Sequence, residues 1–155
     1  MAVTVKRITL WRAEVEHTPG TLAHVLAPLS RAGADLRLVM GYGFPHGGRA
    51  AIEVHPVSGK KATAAAREAG MAASEIACVL VEGDNRPGLG ARLAEQVAAG
   101  GINISFLVAQ VIGRRFVAVF GFADDDTAVI AMRTIRSAAR MSGTKPSRGR
   151  ARRRR

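Results

Sequence analysis

Two short stretches of the chain share one character and decide how the rest is organised. Residues 82–90 read Glu-Gly-Asp-Asn-Arg-Pro-Gly-Leu-Gly, and residues 14–22 read Glu-Val-Glu-His-Thr-Pro-Gly-Thr-Leu, with their Pro-Gly pairs 68 residues apart. Each stretch follows an apolar, strand-like run and opens an apolar segment with helical spacing. Similarity at a fixed spacing indicates repeated structural units. The chain is therefore interpreted as two copies of one small unit.

The repeat extends beyond these turns. Sliding the sequence by 68 residues aligns the two halves without a gap, and the apolar pattern continues to match where residue identity is lost. An old duplication of one supersecondary unit accounts for this pattern. The matched pairs include Gly33 with Gly101, Asp35 with Asn103, Leu36 with Ile104, Ala50 with Ala118, Ile52 with Phe120, and Val54 with Phe122.

The first copy is predicted to run strand, helix, strand, strand, helix. Thr18 is expected to cap the first helix and Pro19 to take its first position, since these residue types suit those places. Pro28 is expected to kink this helix or to end its regular part, and Gly33 to stop it. The predicted spans are strands at 4–14, 36–40 and 49–55, and a second helix at 58–70.

The second copy repeats this order. Residues 72–81 are expected to close the first unit and to open the second, which has no obvious final strand of its own. The strand at 116–122 is apolar on both faces, which predicts that two units, two chains, or both pack against it. Three acids at 124–126 are interpreted as first-turn helix residues rather than as a cation site. The predicted spans are strands at 75–82, 102–108 and 116–122, and helices at 89–99 and 124–139.

Positive charge is concentrated at the C-terminal end. The net charge is +11 over 155 residues, but residues 143–155 hold seven basic and no acidic side chains, which leaves 16 basic against 12 acidic residues before them. The predicted division is one unit at 1–72, a second at 73–141, and a disordered Arg-rich tail at 142–155. The single cysteine, Cys78, is interpreted as a small buried hydrophobe. Without an export signal or a membrane span, a cytoplasmic protein is expected.

The motif pattern resembles that of tandem ACT domains, the small-molecule sensors of amino-acid metabolism. An acidic-x-x-Pro-Gly turn after the first strand, an apolar helix, and then Gly-x-Asn/Asp-Ile/Leu carry the resemblance over roughly residues 4–140. The resemblance implies an α+β fold of two ferredoxin-like βαββα(β) ACT domains in tandem. Their sheets would be antiparallel, with the helices on one face. The motifs stand at 84–88 with 101–104, and at 16–20 with 33–36.

The resemblance also implies an amino-acid effector, held where two such domains meet. In the ACT-domain regulatory subunit of acetolactate synthase, a turn asparagine, the turn glycine and the asparagine opening the next strand bind the effector. The matching residues here are Asn85, Gly88 and Asn103 in the second copy. The first copy retains only the glycine. The full set of implied ligand-binding residues is Asp84, Asn85, Arg86, Gly88, Leu89 and Asn103, with His17, Gly20 and Asp35 in the first copy.

Such a protein would regulate rather than catalyse. The resemblance implies no cofactor and no metal, a homodimer or higher homo-oligomer, and action on a separate partner enzyme. The residues of the second turn support the ligand independently, because a helix N-terminus after Pro87 attracts a carboxylate. Asn103 offers both a donor and an acceptor, and Asp84 complements an ammonium group. The alternative is a plain helix-initiating turn with a solvent-facing asparagine, although ligand binding is the favoured interpretation for the second copy.

Other classes of function find less support in the sequence. A dinucleotide-binding loop is excluded at the second turn, since Leu93 replaces the third glycine. Catalysis is not expected, because the four histidines all lie in the first copy without metal-ligand spacing. Nucleic-acid binding through the tail is the main alternative, since Arg-rich segments attract polyanions. The third possible function is that of a scaffold protein that uses its sheets only to oligomerise. The tail residues concerned are Arg150, Arg152, Arg153, Arg154 and Arg155.

Overall fold

The computed structural model describes residues 3–141, and these form eight strands and four helices. The strands and helices alternate as two units of the same order, as the repeat predicted. In chain order they are β1 Thr4–Ile8, β2 Trp11–Glu16, α1 Thr21–Arg31, β3 Leu38–Gly43, β4 Arg49–His55, α2 Gly59–Glu68, β5 Ala72–Ala73, β6 Ala77–Asp84, α3 Leu89–Ala99, β7 Phe106–Ile112, β8 Arg115–Phe122 and α4 Asp125–Met141.

Two four-stranded sheets organise the molecule, with strand orders β3-β4-β2-β5 and β1-β6-β8-β7. Every pair of neighbouring strands in both sheets is antiparallel. Side chains of α1 and α2 pack on one face of the first sheet, and those of α3 and α4 pack on one face of the second. The predicted α+β class, with antiparallel sheets and helices on one face, is confirmed.

The N-terminal strand departs from the prediction of one strand at 4–14. It breaks after Ile8, and the two pieces enter different sheets: β2 pairs with β4, whereas β1 pairs with β6 of the second sheet. The missing final strand of the second unit is therefore β1. Val5 joins the core of the second unit, and Arg136 of α4 donates a hydrogen bond to the Val5 carbonyl at 2.8 Å. The division at residue 72 stays a prediction, but β1 crosses it.

Three further boundaries differ from the sequence prediction. Residues 72–81 do not act as one shared strand, because β5 ends at Ala73 and β6 begins at Ala77. The strands predicted at 36–40 and 102–108 begin later, at Leu38 and Phe106. The apolar residues before β7, Ile102 among them, pack against the core from the loop, which explains why they mimicked strand periodicity. Helix α1 continues past Pro28 to Arg31 rather than ending at the proline.

The ungapped alignment also fails in one place. Ala13 pairs with Ile52 in the first sheet, whereas its counterpart Val81 pairs with Ala118 and not with Phe120. The β7–β8 hairpin turns over residues 113–114, whereas the β3–β4 connection spans residues 44–48, so β8 is shifted by two positions relative to β4. Because side chains alternate between the faces of a strand, a shift of two keeps the same side chains inward. The apolar pattern therefore concealed the shift.

The acids at the start of α4 have the predicted structural role. The carboxylate of Asp124 accepts a hydrogen bond from the Thr127 backbone N–H at 2.7 Å, which lowers the pKa of Asp124. Asp125 and Asp126 lie in the first turn, where the helix dipole favours negative charge. Asp125 also pairs with Arg7 of β1. Together with the hydrogen bond from Arg136 to Val5, this pair links α4 to β1 at two points.

A third apolar cluster joins the two units. One face of β8 contributes Phe116, Ala118, Phe120 and Phe122 to the core beneath α3 and α4. Its other face contributes Val119 to a cluster with Ile8, Leu10 and Cys78, against which Leu38 and Met40 of the first sheet pack. The predicted packing of the two units against each other is confirmed, as is the burial of Cys78. Burial raises the pKa of the Cys78 thiol to about 12.

The close approach of Phe106 to Gly121 generates a stability prediction. The two residues are cross-strand partners, and a Cβ on Gly121 would overlap the Phe106 ring and lie 3.0 Å from Ile76 Cγ2. We expect Gly121→Ala to lower the free energy of unfolding by about 1–3 kcal/mol, as overpacking does. The matched control is Gly41→Ala, since a Cβ on Gly41 would meet nothing within 4 Å. Urea denaturation measures both, and equal stabilities would contradict the packing account.

Candidate functional site

The two Pro-Gly pairs occupy the centres of matching turns that start α1 and α3. Gly20 has φ 88° and ψ −16°, and Gly88 has φ 76° and ψ 3°. The backbone N–H of Thr21 donates to the Thr18 carbonyl at 3.3 Å, and that of Leu89 donates to the Arg86 carbonyl at 3.0 Å. These are type II turns, in which proline suits the second position and glycine supplies the positive φ of the third.

This geometry corrects the prediction for the start of α1. The residue at the N-cap is Gly20, not Thr18, and the helix begins at Thr21 rather than at Pro19. The Thr18 hydroxyl instead shares a hydrogen bond with the Thr21 hydroxyl at 2.9 Å. No side chain caps α1 or α3. The first N–H groups of each helix, other than those used by the turn, therefore remain available to a ligand.

A cavity of ≈ 240 Å³ lies at the first turn, between the start of α1 and the ends of β2 and β3. His17 and Gly20, two of the predicted residues, line it together. The imidazole of His17 lies close to Gly43, where a Cβ would stand 3.2 Å from His17 Nε2. Glycine at this position therefore keeps the wall open beside the imidazole. The remaining lining residues are Val15, Glu16, Thr18, Thr21, Leu22, Gly41, Tyr42, Ala50, Ala51 and Ile52.

A buried carboxylate on β4 is hydrogen-bonded to Tyr42, one of the residues that line this cavity. Glu53 of β4 is 0% exposed, and the Tyr42 hydroxyl donates a hydrogen bond to its Oε1 at 2.8 Å. The Arg12 guanidinium lies 3.5 Å from the same oxygen. Burial, and then the bond to Glu53, raise the pKa of Tyr42. Glu53 Oε2 is buried without a hydrogen-bond partner among the described residues.

The second turn has the same backbone conformation, but larger apolar side chains surround it. Leu89 stands where the first unit has Thr21, and its side chain is 3% exposed within the core of the second unit. After the two-residue shift in register, Phe116 occupies the position of Ala50, and it belongs to the same core. Large apolar side chains thus stand where the first unit has a hydroxyl and a methyl group. The Arg92 side chain lies against Gly88, with Nη1 3.3 Å from where a Cβ would be.

The polar residues predicted at the second turn are partly engaged by the protein itself. Asp84 pairs with Arg115 at 3.6 Å, and the Asn85 backbone N–H donates to the Arg114 carbonyl at 2.8 Å. The Leu89 side chain is buried, and its backbone N–H donates to the Arg86 carbonyl, so this amide is already engaged within the turn. Asn103 lies in the α3–β7 connection rather than opening the strand.

Asp35 is separated from the other residues predicted in the first copy. It lies in the α1–β3 connection and lines a much larger cavity of ≈ 930 Å³ between the two units. Neither His17 nor Gly20 lines that cavity, and Asp35 does not line the one at the first turn. The Pro-Gly turn and the Gly-x-Asp motif therefore contribute to two different cavities in the first copy.

Sequence reasoning missed several residues of the first cavity. The sequence pattern predicted Thr18 as a helix cap and indicated no role for Thr21 or for the glycines of β3. One signal was available: β3 reads Leu-Val-Met-Gly-Tyr-Gly, whereas β7 has Ala109 and Val111 where β3 has Gly41 and Gly43. Glycine in a strand often marks the close approach of a ligand or of another backbone. The Arg-rich tail lies outside the described residues.

No group of three or more metal-ligating side chains occurs within residues 3–141. Of the four histidines, His17, His24 and His46 are exposed, and His55 is partly buried with Nδ1 2.9 Å from the Thr9 carbonyl oxygen. Within the same residues, the helices are too short or too polar to cross a membrane.

Comparison with solved structures supports the same fold. A regulatory subunit of aspartate kinase from Thermus thermophilus superposes with a TM-score of 0.58 at 22% identity, covering 89% of this chain and 97% of that one. Protein BT0572 from Bacteroides thetaiotaomicron gives a TM-score of 0.70 at 16% identity, covering 83% of this chain and 88% of that one. The chain thus shares the fold of these structures, with two ferredoxin-like α+β units in tandem.

One third of a larger protein, aspartokinase III of E. coli solved in complex with aspartate and ADP, has a similar structure. It superposes with a TM-score of 0.57 at 14% identity, covering 88% of this chain but 33% of that one. No protein-family profile matches the sequence, and no curated protein matches it significantly. Likeness at these identities establishes the fold alone.

The Tyr42–Glu53 pair yields a direct spectroscopic prediction. Tyr42 is the only tyrosine in the chain, so phenolate absorbance reports this group alone. We expect its midpoint above pH 10.0, because burial and the Glu53 carboxylate disfavour the phenolate. Glu53→Gln should lower the midpoint by removing the negative charge beside the hydroxyl.

The same pair makes stability depend on pH. The pKa of Tyr42 is higher in the folded protein than in the unfolded chain. The protonated Tyr42 hydroxyl therefore stabilises the fold fully below pH 10.0, and this contribution is lost as the pH rises through the folded pKa. Tyr42→Phe should abolish that part of the slope in urea denaturation. A wild-type midpoint at or below 10.0 would contradict the observed environment of Tyr42.

Proposed function

We propose that this chain is a non-catalytic regulatory protein of the cytoplasm that binds a free amino acid at its first Pro-Gly turn. Binding of the amino acid would change how this protein regulates a separate partner enzyme. The observation that carries the proposal is the cavity at the first turn, which joins an uncapped helix N-terminus to polar side chains and strand glycines. The ACT-type fold of regulatory subunits supports the class of function.

The chemistry of the cavity suits an amino acid. Free N–H groups and the positive end of the α1 dipole attract a carboxylate. The hydroxyls of Thr18 and Thr21 can accept from an ammonium group, and Glu16 supplies a negative charge in the same lining. The volume of ≈ 240 Å³ lies below the roughly 300–1,000 Å³ of sites for drug-sized ligands, in keeping with a ligand as small as an amino acid.

The edge strands support an oligomer as part of the proposal. β3 and β7 each lie at one edge of their sheet, and both expose apolar side chains, including Val39 at 42% and Ile112 at 65%. An exposed apolar edge is a template for pairing with another strand. A second copy paired along β3 would lie beside the first-turn cavity, which opens next to Gly41 and Gly43. This arrangement would place the amino acid where two ACT units meet.

The proposal predicts stabilisation by a free amino acid. We expect one of the common amino acids, at 100 times its dissociation constant, to raise the free energy of unfolding by about 2.7 kcal/mol. Gly43→Ala should weaken binding, since the new methyl group would push His17 into the cavity. Gly90→Ala is the matched control, because a Cβ there meets nothing within 4 Å. Thermal shift and calorimetry measure both; no shift with any amino acid would refute the proposal.

A matched pair of variants identifies which turn binds. Gly20→Asp and Gly88→Asp each introduce a carboxylate at the start of a helix, with similar positive φ and hence similar backbone strain. We expect Gly20→Asp to abolish the calorimetric signal, since its charge repels the ligand carboxylate, and Gly88→Asp to retain it. The reverse result would assign the ligand to the second turn, with Asn85 and Asn103, and would contradict the site proposed here.

A further inference from the structure

Another cavity lies between the two units and plays no part in the function proposed above. It measures ≈ 930 Å³ and shares no lining residue with the first-turn cavity. Its floor is the helix-free face of the second sheet, where Ile8, Leu80, Val117 and Val119 supply apolar side chains. Its opposite wall is the first unit, through the α1–β3 connection and the start of α2.

The charges on the two walls are unequal. Four basic side chains line the cavity against two acidic ones, Asp35 and Glu82. Glu82 is paired with Lys6 at 3.5 Å on the floor. The remaining cations, Arg37, Lys60 and Lys61, therefore lie on the first-unit wall, and among the described lining residues Asp35 is the only acid not already paired on the floor.

The position of the two lysines is unfavourable for the protein alone. Lys60 and Lys61 stand in the first turn of α2, which contains no acid, and Ser58 makes no side-chain capping bond there. The helix dipole disfavours cations at this end. Asp35 offsets only part of the local positive charge. A bound anion would relieve the repulsion.

We propose that this inter-unit cavity binds an organic anion with an apolar body, its carboxylate or phosphate facing Lys60, Lys61 and Arg37. The apolar body would cover Leu80 and Val117, which the first sheet leaves partly exposed. The volume lies within the range of small-molecule sites in proteins and is well above that of the first-turn cavity. Because the two units form the opposite walls, this ligand bridges them.

Anilinonaphthalene sulfonate, a fluorescent organic anion with an apolar body, tests the proposal on the full chain. We expect saturable binding, displaced by decanoate or decyl phosphate but far less by decanol, which has the same chain without the charge. Lys60→Gln with Lys61→Gln should weaken binding on the order of tenfold or more, since charge-assisted contacts are lost. Whichever of decanoate and decyl phosphate displaces the probe better identifies the head group.

Two controls separate this site from general effects. Arg133→Gln with Arg140→Gln removes the same charge from exposed positions of α4 and should leave the affinity unchanged. Val117→Trp should block the probe by filling the cavity, whereas Val111→Trp, outside the lining, should not. Circular dichroism verifies that each variant is folded.

Equal affinity in wild type and the double lysine variant, displacement by decanol as effective as by decanoate, or no saturable binding would overturn the proposal. Amino-acid binding at the first turn should survive Lys60→Gln with Lys61→Gln, so the two sites fail or succeed separately.

Discussion

The packing of the two sheets against each other is the interaction on which the rest of the structure depends. Ile8, Leu10, Cys78 and Val119 form a buried cluster between them. Each such aliphatic side chain contributes about 1.5–3 kcal/mol when fully buried. The exchanged strand β1 belongs to this cluster through Ile8 and to the second core through Val5. The units are thus joined both by the chain and by a shared core, and the inter-unit cavity exists because that core covers only part of the second sheet.

The two Pro-Gly turns share one backbone conformation but differ in the side chains around them. Both Pro-Gly pairs form type II turns with glycine at positive φ, since only glycine adopts that conformation without strain. The side chains around them have diverged: Thr21, Ala50 and Gly43 leave a cavity, whereas Leu89 and Phe116 fill the core of the second unit. The first copy therefore keeps an open turn, whereas the second gains apolar burial.

Much of the fold was readable from the chain because the signals were local. The helical spacing of Leu89, Leu93 and Val97 predicted a buried helix face, and all three are buried. The acids at 124–126 predicted a helix start, which Asp124 caps. The sheet that Thr4–Ile8 would join could not be predicted, because the residue pattern of a strand does not specify its pairing partner. The buried Glu53 was missed for a related reason: its hydrogen-bond donor, Tyr42, comes from a neighbouring strand.

The sequence by itself determined the two-unit plan, the α+β class, the Pro-Gly turns and the inward-facing side chains, since periodicity and backbone preference depend on neighbours along the chain. Only the tertiary structure decided that β1 crosses to the second sheet, that β8 shifts by two residues, and that Asp35 lies apart from His17 and Gly20. These outcomes depend on which faces and edges meet in space. The period of a strand is preserved under both exchange and a shift of two, so the sequence pattern cannot distinguish them.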